Sequence, residues 1–352
     1  MIGILTFHRG PNYGGFLQAW HMREAIRALG HESTLINYQR LRHHQAEQVR
    51  LRGISPGHFK GLLLHTLKSR PFASPVAGLS DHPFTSDAAQ IPWHRFERVI
   101  VGADVVWNFT DATHGNDPVF FGAHPAQQDT SFAAYAPSCG DTPPEGEIPD
   151  FVRDGLSRFS SIHVRDETTA DLVERVTGTS PPLVVDPTWL QDDPPSNCRK
   201  IPQGLKYALV YGQGATGPRA KALGSYCKKR GLSVVSAAFP CEATTHRLYS
   251  IDPFEWVDLF RRAECVITST FHGLLYAIKH HKPVIFMVRG PSRSKSKLAI
   301  ERCELSSIVI EEGQPFDQAL LDYALSEHRG TGIPREWVVE SRALLEKSLG
   351  GI

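Results

Sequence analysis

Met1–Gly30 reads MIGILTFHRGPNYGGFLQAWHMREAIRALG, and this stretch decides the fold. Ile2 to Phe7 is a short apolar run of the kind a buried strand uses. Arg9-Gly10-Pro11-Asn12-Tyr13-Gly14-Gly15 is rich in turn formers. Phe16 to Leu29 then carries Leu17, Trp20, Ala25, Ile26 and Leu29 at helical spacing, with Gly30 as the stop. Ser33 to Tyr38 reads as a second strand. A strand, a glycine turn, a helix and a strand make the opening βαβ unit of a doubly wound α/β fold.

Outward from this unit the rhythm breaks once and then resumes. From Gln39 to Ser80 seven basic residues (Arg40, Arg42, Arg50, Arg52, Lys60, Lys68, Arg70) stand against one acid, Glu47, with His43, His44, His58 and His65 among them. Residues 39–90 therefore read as a mobile basic insertion, either a solvated loop or a flap over an anionic acceptor, with a short helix at Phe59 to Leu67. Strands follow at Arg98 to Val101 and Thr130 to Tyr135, a helix at Phe151 to Phe159 and a strand at Ser161 to Val164. Asp166 is a helix N-cap, the helix runs to Thr177 and Gly178 stops it. Leu183 to Val185 reads as a strand.

Gln191-Asp192-Asp193-Pro194-Pro195-Ser196-Asn197 is polar and proline-rich, as linkers are. It divides an N-terminal Rossmann-like domain, residues 1–190, from a C-terminal one, residues 198–330. Beyond it come strands at Tyr207 to Tyr211, Ser233 to Ala238, Cys265 to Thr268, Val284 to Val288 and Ser307 to Ile310. Helices are expected from Arg219, over Asp252 to Ala263, over Gly273 to His280 and near Lys295 to Arg302, and Trp337 to Leu349 forms a terminal helix within residues 331–352. The expected class is α/β, two Rossmann-like domains facing a cleft at the carboxyl ends of their strands.

The 352 residues suit two domains, and 41% hydrophobic residues supply ordinary cores. Lys+Arg number 38 and Asp+Glu 37, a net charge of +1. That balance argues against nucleic acid as the main partner. The six cysteines show neither CxxC pairs nor zinc-site spacing with histidine, so reduced thiols and no metal are expected. The start lacks the basic n-region and long apolar run of a signal peptide. No apolar run approaches the ~20 residues of a membrane span. The expected location is the cytoplasm, with peripheral membrane contact left open.

Several segments resemble the polysaccharide pyruvyl transferase family. They are Gly3-Ile4-Leu5-Thr6-Phe7-His8 leading into Asn12-Tyr13-Gly14-Gly15-Phe16-Leu17-Gln18-Ala19, then Val101-Gly102-Ala103-Asp104-Val105-Val106-Trp107-Asn108. Tyr135 to Gly140, Val164-Arg165-Asp166-Glu167 and Val185-Asp186-Pro187-Thr188 come next. Last come Val266-Ile267-Thr268-Ser269-Thr270-Phe271-His272-Gly273, Lys282-Pro283-Val284 and Arg293. The resemblance spans about residues 1–310 and implies a fold like the GT-B glycosyltransferases. It also implies transfer of pyruvate from phosphoenolpyruvate to two hydroxyls of one sugar, forming a ketal and releasing phosphate. No cofactor is expected beyond phosphoenolpyruvate as co-substrate. The acceptor is a sugar, free or carried on a nucleotide or lipid.

The residue chemistry fits those expectations. A donor with a phosphate and a carboxylate needs cations and backbone N–H groups. Ser269, Thr270 and Gly273 stand where a strand end opens into a helix. Arg289, Arg293 and Lys295 follow the next strand. Arg165 leaves a strand end, either to hold the donor carboxylate or to pair with a neighbouring acid. His272 is the expected catalytic proton donor for the methylene carbon, because an imidazole titrates near neutrality. Some relatives carry an arginine where this chain has Thr270, and others have a Ser-Phe-His form, which this chain resembles more.

On the acceptor side, Asn12, Tyr13 and Gly14 lie on the first strand–helix turn, with a tight turn as the alternative role. Asp104, Trp107 and Asn108 follow another strand end. There Trp107 either stacks on a sugar ring, with Asp104 and Asn108 bonding hydroxyls, or the three cap and pack. Asp186 before Pro187 reads as structural. Gly212-Gln213-Gly214-Ala215-Thr216-Gly217 has a G-x-G-x-x-G outline, but no acid ends the next strand, so a turn or phosphate role fits better than a dinucleotide site.

Three other functions share these features. One is a GT-B glycosyltransferase using a nucleotide sugar. Another is a non-catalytic sugar-binding protein. The third is pyruvyl transfer to an acceptor outside the polysaccharides.

Overall fold

Ile2–Leu5 forms β1, and all four of its residues are buried. A run covered on both faces is what a parallel sheet requires. The structure is a computed structural model and describes residues 1–52, 69–143, 145–327 and 332–350. Of these, 1–52, 73–192 and 335–350 form one compact unit, and 69–72 with 193–327 and 332–334 form another.

In the first unit, β1 is followed by α1 (Tyr13–Ala28), β2 (Ser33–Leu35), α2 (Leu41–Arg52) and α3 (Ala73–Ala77). Then come β3 (Arg98–Val101), β4 (Phe132–Tyr135), α4 (Asp150–Leu156), β5 (Phe159–His163) and α5 (Glu167–Thr177). The strands make one sheet in the order β2-β1-β3-β4-β5, each pairing parallel. Val99, Val101, Phe120, Phe121 and Phe132 are among its buried core. Asp166 caps α5 by accepting from the Thr169 N–H at 2.9 Å, and Gly178 ends it at φ +74. These two ends follow the capping rules read from the sequence.

In the second unit, β6 (Tyr207–Tyr211) leads to α6 (Gly217–Lys229), β7 (Ser233–Ala237), β8 (His246–Leu248) and α7 (Pro253–Arg262). The chain continues through β9 (Cys265–Thr268), α8 (Phe271–Lys279), β10 (Val284–Met287), α9 (Arg293–Arg302), β11 (Val309–Ile310) and α10 (Gln318–Asp322). The sheet order is β11-β10-β9-β6-β7-β8, again parallel at each pairing.

The terminal helix α11 (Arg335–Leu349) belongs to the first unit. Its Trp337 Nε1 donates to the Leu183 carbonyl at 3.1 Å, and its Ser341 Oγ accepts from the Val185 N–H at 3.0 Å. No helix among the described residues is long and apolar enough to cross a membrane.

The structure corrects several readings. Leu183 to Val185 is not a strand, because only Leu183 bridges to Val164 while Val185 turns its N–H to α11. β8 was not foreseen. Its three residues, one of them exposed, give no apolar signal. Residues 39–90 are not a loose insertion where they are described. Thr85 bridges Tyr38, Leu79 and Ala88 are buried, and the Leu79 carbonyl accepts from the Leu35 N–H. The helix expected at Phe59 to Leu67 lies outside the described residues.

Candidate functional site

In each sheet the strand order reverses at one place, and ligands of open α/β sheets collect at the carboxyl ends beside it. In the second unit that place lies between β6 and β9, since β6 has β7 on its other side. The chain there is tightly built. Thr268 Oγ1 donates to the Tyr211 carbonyl at 2.6 Å. Ser269 Oγ accepts from the Gln213 N–H at 2.9 Å. Thr270 is the N-cap of α8, its Oγ1 accepting from the Gly273 N–H at 3.1 Å.

Two glycines are required by contact. A Cβ on Gly273 would lie 2.1 Å from Thr268 Oγ1, and one on Gly212, at φ +137, would lie 2.6 Å from the Ser269 nitrogen. The glycine turn after β6 is thus a close approach of two strand-end loops, with Gly212 and Gly214 both at positive φ.

His272 stands in the first turn of α8, half-buried, its ring 5.1 Å from that of Phe271 and edge-on to it. Arg289 follows β10, its Nη2 3.7 Å from Glu312. Arg293 opens α9 and binds the Glu311 carboxylate with both terminal nitrogens. Lys295 lies in the first turn of α9. The cations foreseen at this edge are therefore present. The acids Glu311 and Glu312, which follow β11, were not foreseen. Arg219 was also missed. Its guanidinium donates to the Glu311, Gln314 and Gly214 carbonyls and so ties the β6 and β11 loops together.

In the first unit the reversal lies between β1 and β3. A pocket opens there, lined by Phe7 to Gly10, Asn12, Gly15, Tyr38, Gln39 and Asp104. Its floor is held by Thr6, whose Oγ1 donates to the Ala103 carbonyl at 2.9 Å and accepts from Gln18 Nε2 at 2.9 Å. Asp104 sits in the left-handed region at φ +69, its Oδ1 accepting from the Val105 N–H at 2.8 Å. Gly102, two residues earlier and at φ +118, could carry no Cβ, which would fall 2.2 Å from the Tyr135 carbonyl oxygen. Tyr38 donates its hydroxyl to Asp117 at 2.9 Å, and burial raises that phenol above its ordinary value.

The tertiary structure sorts the acceptor residues. Asn12 and Asp104 come together in the pocket. Tyr13 and Gly14 are buried residues of the first turn of α1 instead. Trp107 cannot stack on a sugar: it is fully buried against Phe121, ring centroids 5.8 Å apart, and its Nε1 donates to the Phe120 carbonyl. Asn108 holds its own loop, accepting from the hydroxyls of Thr110 at 2.7 Å and Thr142 at 3.0 Å.

Arg165 takes the second of its two expected roles, pairing with an acid. It is shut off from solvent in the first unit and paired with Asp186 at 2.9 Å. Asp186 also accepts from the Thr188 N–H and hydroxyl, the structural role read from the sequence. His8, Arg9, Tyr38 and Gln39 were missed as pocket residues. Their signal was their place at the carboxyl ends of β1 and β2.

The sequence model of the family described as polysaccharide pyruvyl transferase matches residues 12–291. No curated protein matches the chain. Among solved structures, the UDP-GlcNAc 2-epimerase of Methanocaldococcus jannaschii, solved with UDP-GlcNAc and UDP, is 11% identical. It aligns over 99% of this chain and 99% of its own at a TM-score of 0.52. The Neisseria meningitidis UDP-GlcNAc 2-epimerase, bound to UDP-GlcNAc, is 10% identical over 99% of each chain, with the same TM-score. These likenesses are of fold, and the fold is of the GT-B type.

Proposed function

The chain belongs to the polysaccharide pyruvyl transferase family, and on that premise we propose that it moves the pyruvyl group of phosphoenolpyruvate onto two hydroxyls of a sugar. The product is a ketal and the by-product is phosphate. The carboxyl edge of the second sheet carries this reading, because it gathers an imidazole, a capped helix start and two arginines within one unit.

On this reading the donor phosphate and carboxylate meet Arg289, Arg293 and Lys295 as charge-assisted partners. Ser269 accepts from Gln213, and a hydroxyl that accepts one hydrogen bond keeps its own proton to donate. His272 gives the proton that turns the methylene carbon into a methyl group, which makes the adjacent carbon electrophilic. Asn12 and Asp104 in the first-unit pocket bind acceptor hydroxyls. Phosphoenolpyruvate is consumed as co-substrate, and the chemistry needs no resident cofactor. A reducing, cytoplasmic setting is part of this reading.

The test is phosphate release from phosphoenolpyruvate with a panel of free, nucleotide-linked and lipid-linked sugars. Release that depends on a sugar, with a ketal in the product by mass and NMR, is the expected result. Loss of sugar from a nucleotide sugar, with no phosphate from phosphoenolpyruvate, would establish a glycosyltransferase instead.

A further inference from the structure

The two arginines assigned to the donor already face carboxylates of their own chain. β10 and β11 pair parallel with Met287 beside Ile310, and the Val288 N–H donates to the Ile310 carbonyl at 2.9 Å. The segments that leave these strands therefore start side by side, Arg289 on one, Glu311 and Glu312 on the other. Glu311 takes Arg293 with both carboxylate oxygens, Oε1 at 3.1 Å from Nη1. Glu312 Oε1 lies 3.7 Å from Arg289 Nη2. All four residues belong to the second unit.

The main chain that carries the acids is tied down. Arg219 Nη2 donates to the Glu311 carbonyl at 2.9 Å, and its Nε donates to the Gln314 carbonyl at 2.7 Å. The Glu311 N–H donates to Gln314 Oε1 at 3.3 Å. The side chains are in the opposite condition. Arg293 is 62% exposed and Glu311 55%, and exposed ion pairs are weak. A pair of this kind opens by side-chain rotation while its loop stays in place. Carboxylate and phosphate both fit the fork of a guanidinium. Glu311 and an anionic ligand therefore compete for the same face of Arg293.

We propose that Glu311, with Glu312 beside it, is a built-in competitor for the donor arginines. It holds Arg293 before the donor binds, gives way to phosphoenolpyruvate, and takes Arg293 back as phosphate leaves. This rests on the pyruvyl-transfer reading above. The competitor weakens donor and product alike, and its gain is release of the phosphate that would otherwise stay on the arginines. Arg219 is a positioning residue here, keeping the carboxylates within reach of the arginines through the main chain of their loop.

The variant Glu311→Gln tests this, because the bonds that hold the loop use the main chain of residue 311 and survive the change. Calorimetry with phosphoenolpyruvate, and separately with inorganic phosphate, reads binding with no acceptor present. Kd for both ligands should fall roughly 2- to 5-fold, the worth of one exposed pair. With Arg293→Ala already in place, Glu311→Gln should change neither Kd. Unchanged or weaker binding in Glu311→Gln overturns the competitor role. Equal tightening without Arg293 also overturns it, since a general charge effect then explains the gain. Both outcomes leave pyruvyl transfer standing. Should Arg293→Ala bind neither ligand, Glu311→Asp decides, because it keeps the charge and shortens the reach. Tighter binding supports the proposal, and wild-type Kd overturns it. A wild type that binds neither ligand overturns the donor assignment and this inference with it.

Discussion

The Arg165 guanidinium lies 2.9 Å from the Asp186 carboxylate, with side-chain exposures of 3% and 1%. Arg165 joins the end of β5 to the segment that α11 covers, since Asp186 follows Val185, whose N–H bonds Ser341. A buried pair of this kind holds the fold together. Leaving one buried charge alone costs about 3–5 kcal/mol, whereas replacing both by apolar groups is often neutral. Arg165→Met should therefore lower stability by that amount in denaturant unfolding, and Arg165→Met with Asp186→Leu should regain most of it. Phosphoenolpyruvate should still stabilise the double variant in a thermal-shift assay. Loss of that shift alone would return Arg165 to the donor site.

His272→Ala should abolish turnover while the melting temperature and the thermal shift given by phosphoenolpyruvate persist. The ring is half-buried in the first turn of α8 and stands edge-on to Phe271, 5.1 Å away. Full activity would take His272 out of the mechanism.

Arg293 shares its charge with Glu311 on an exposed edge. Arg293→Ala should raise KM for phosphoenolpyruvate and leave stability unchanged. Glu311→Gln should lower that KM by releasing the guanidinium. If only the acceptor KM moves, the donor is bound elsewhere.

Gly273→Ala should cost about 1–3 kcal/mol as an overpacked contact. The added Cβ falls on Thr268 Oγ1, which is already engaged with the Tyr211 carbonyl. Ordinary helix propensity predicts the opposite sign, with alanine better than glycine by ~1 kcal/mol. Urea unfolding separates the two.

Burial, with Lys347 nearby, lowers the His163 imidazole from 6.5 to about 4. The unfolded chain therefore binds the proton more readily than the folded one. Stability from this group is whole above pH 6.5 and is lost as pH falls from there toward 4. Ser348 of α11 lies 3.1 Å from His163 Nδ1, so α11 should loosen first. Hydrogen exchange of α11 across this window should show it, and His163→Gln should flatten the dependence.

Much of this was legible in the sequence because it is local. Arg98–Val101, Tyr207–Tyr211 and Cys265–Thr268 are strands with the expected bounds, since a short apolar run between turn formers leaves little else to form. The caps at Asp166 and Gly178 are likewise properties of a few adjacent residues. The edge that gathers His272, Arg289 and Arg293 was readable because it needs only the position of each residue after its strand.

Side-chain burial was not legible, because it depends on partners far along the chain. Trp107 and Asp104 follow the same strand, three residues apart. One is sealed by Phe121 and Phe159, and the other lines a pocket. Arg165 was readable as a cation at a strand end, and only Asp186, folded back against it, made it structural. His8 was visible from the start beside the glycine turn that decides the fold. What made it a pocket residue was the β1–β3 reversal that opens beside it. Sequence alone determined the alternation of strands and helices, since that follows from local pattern. The order of strands in each sheet, and with it which polar groups face a ligand, was decided by tertiary pairing between segments that local pattern does not connect.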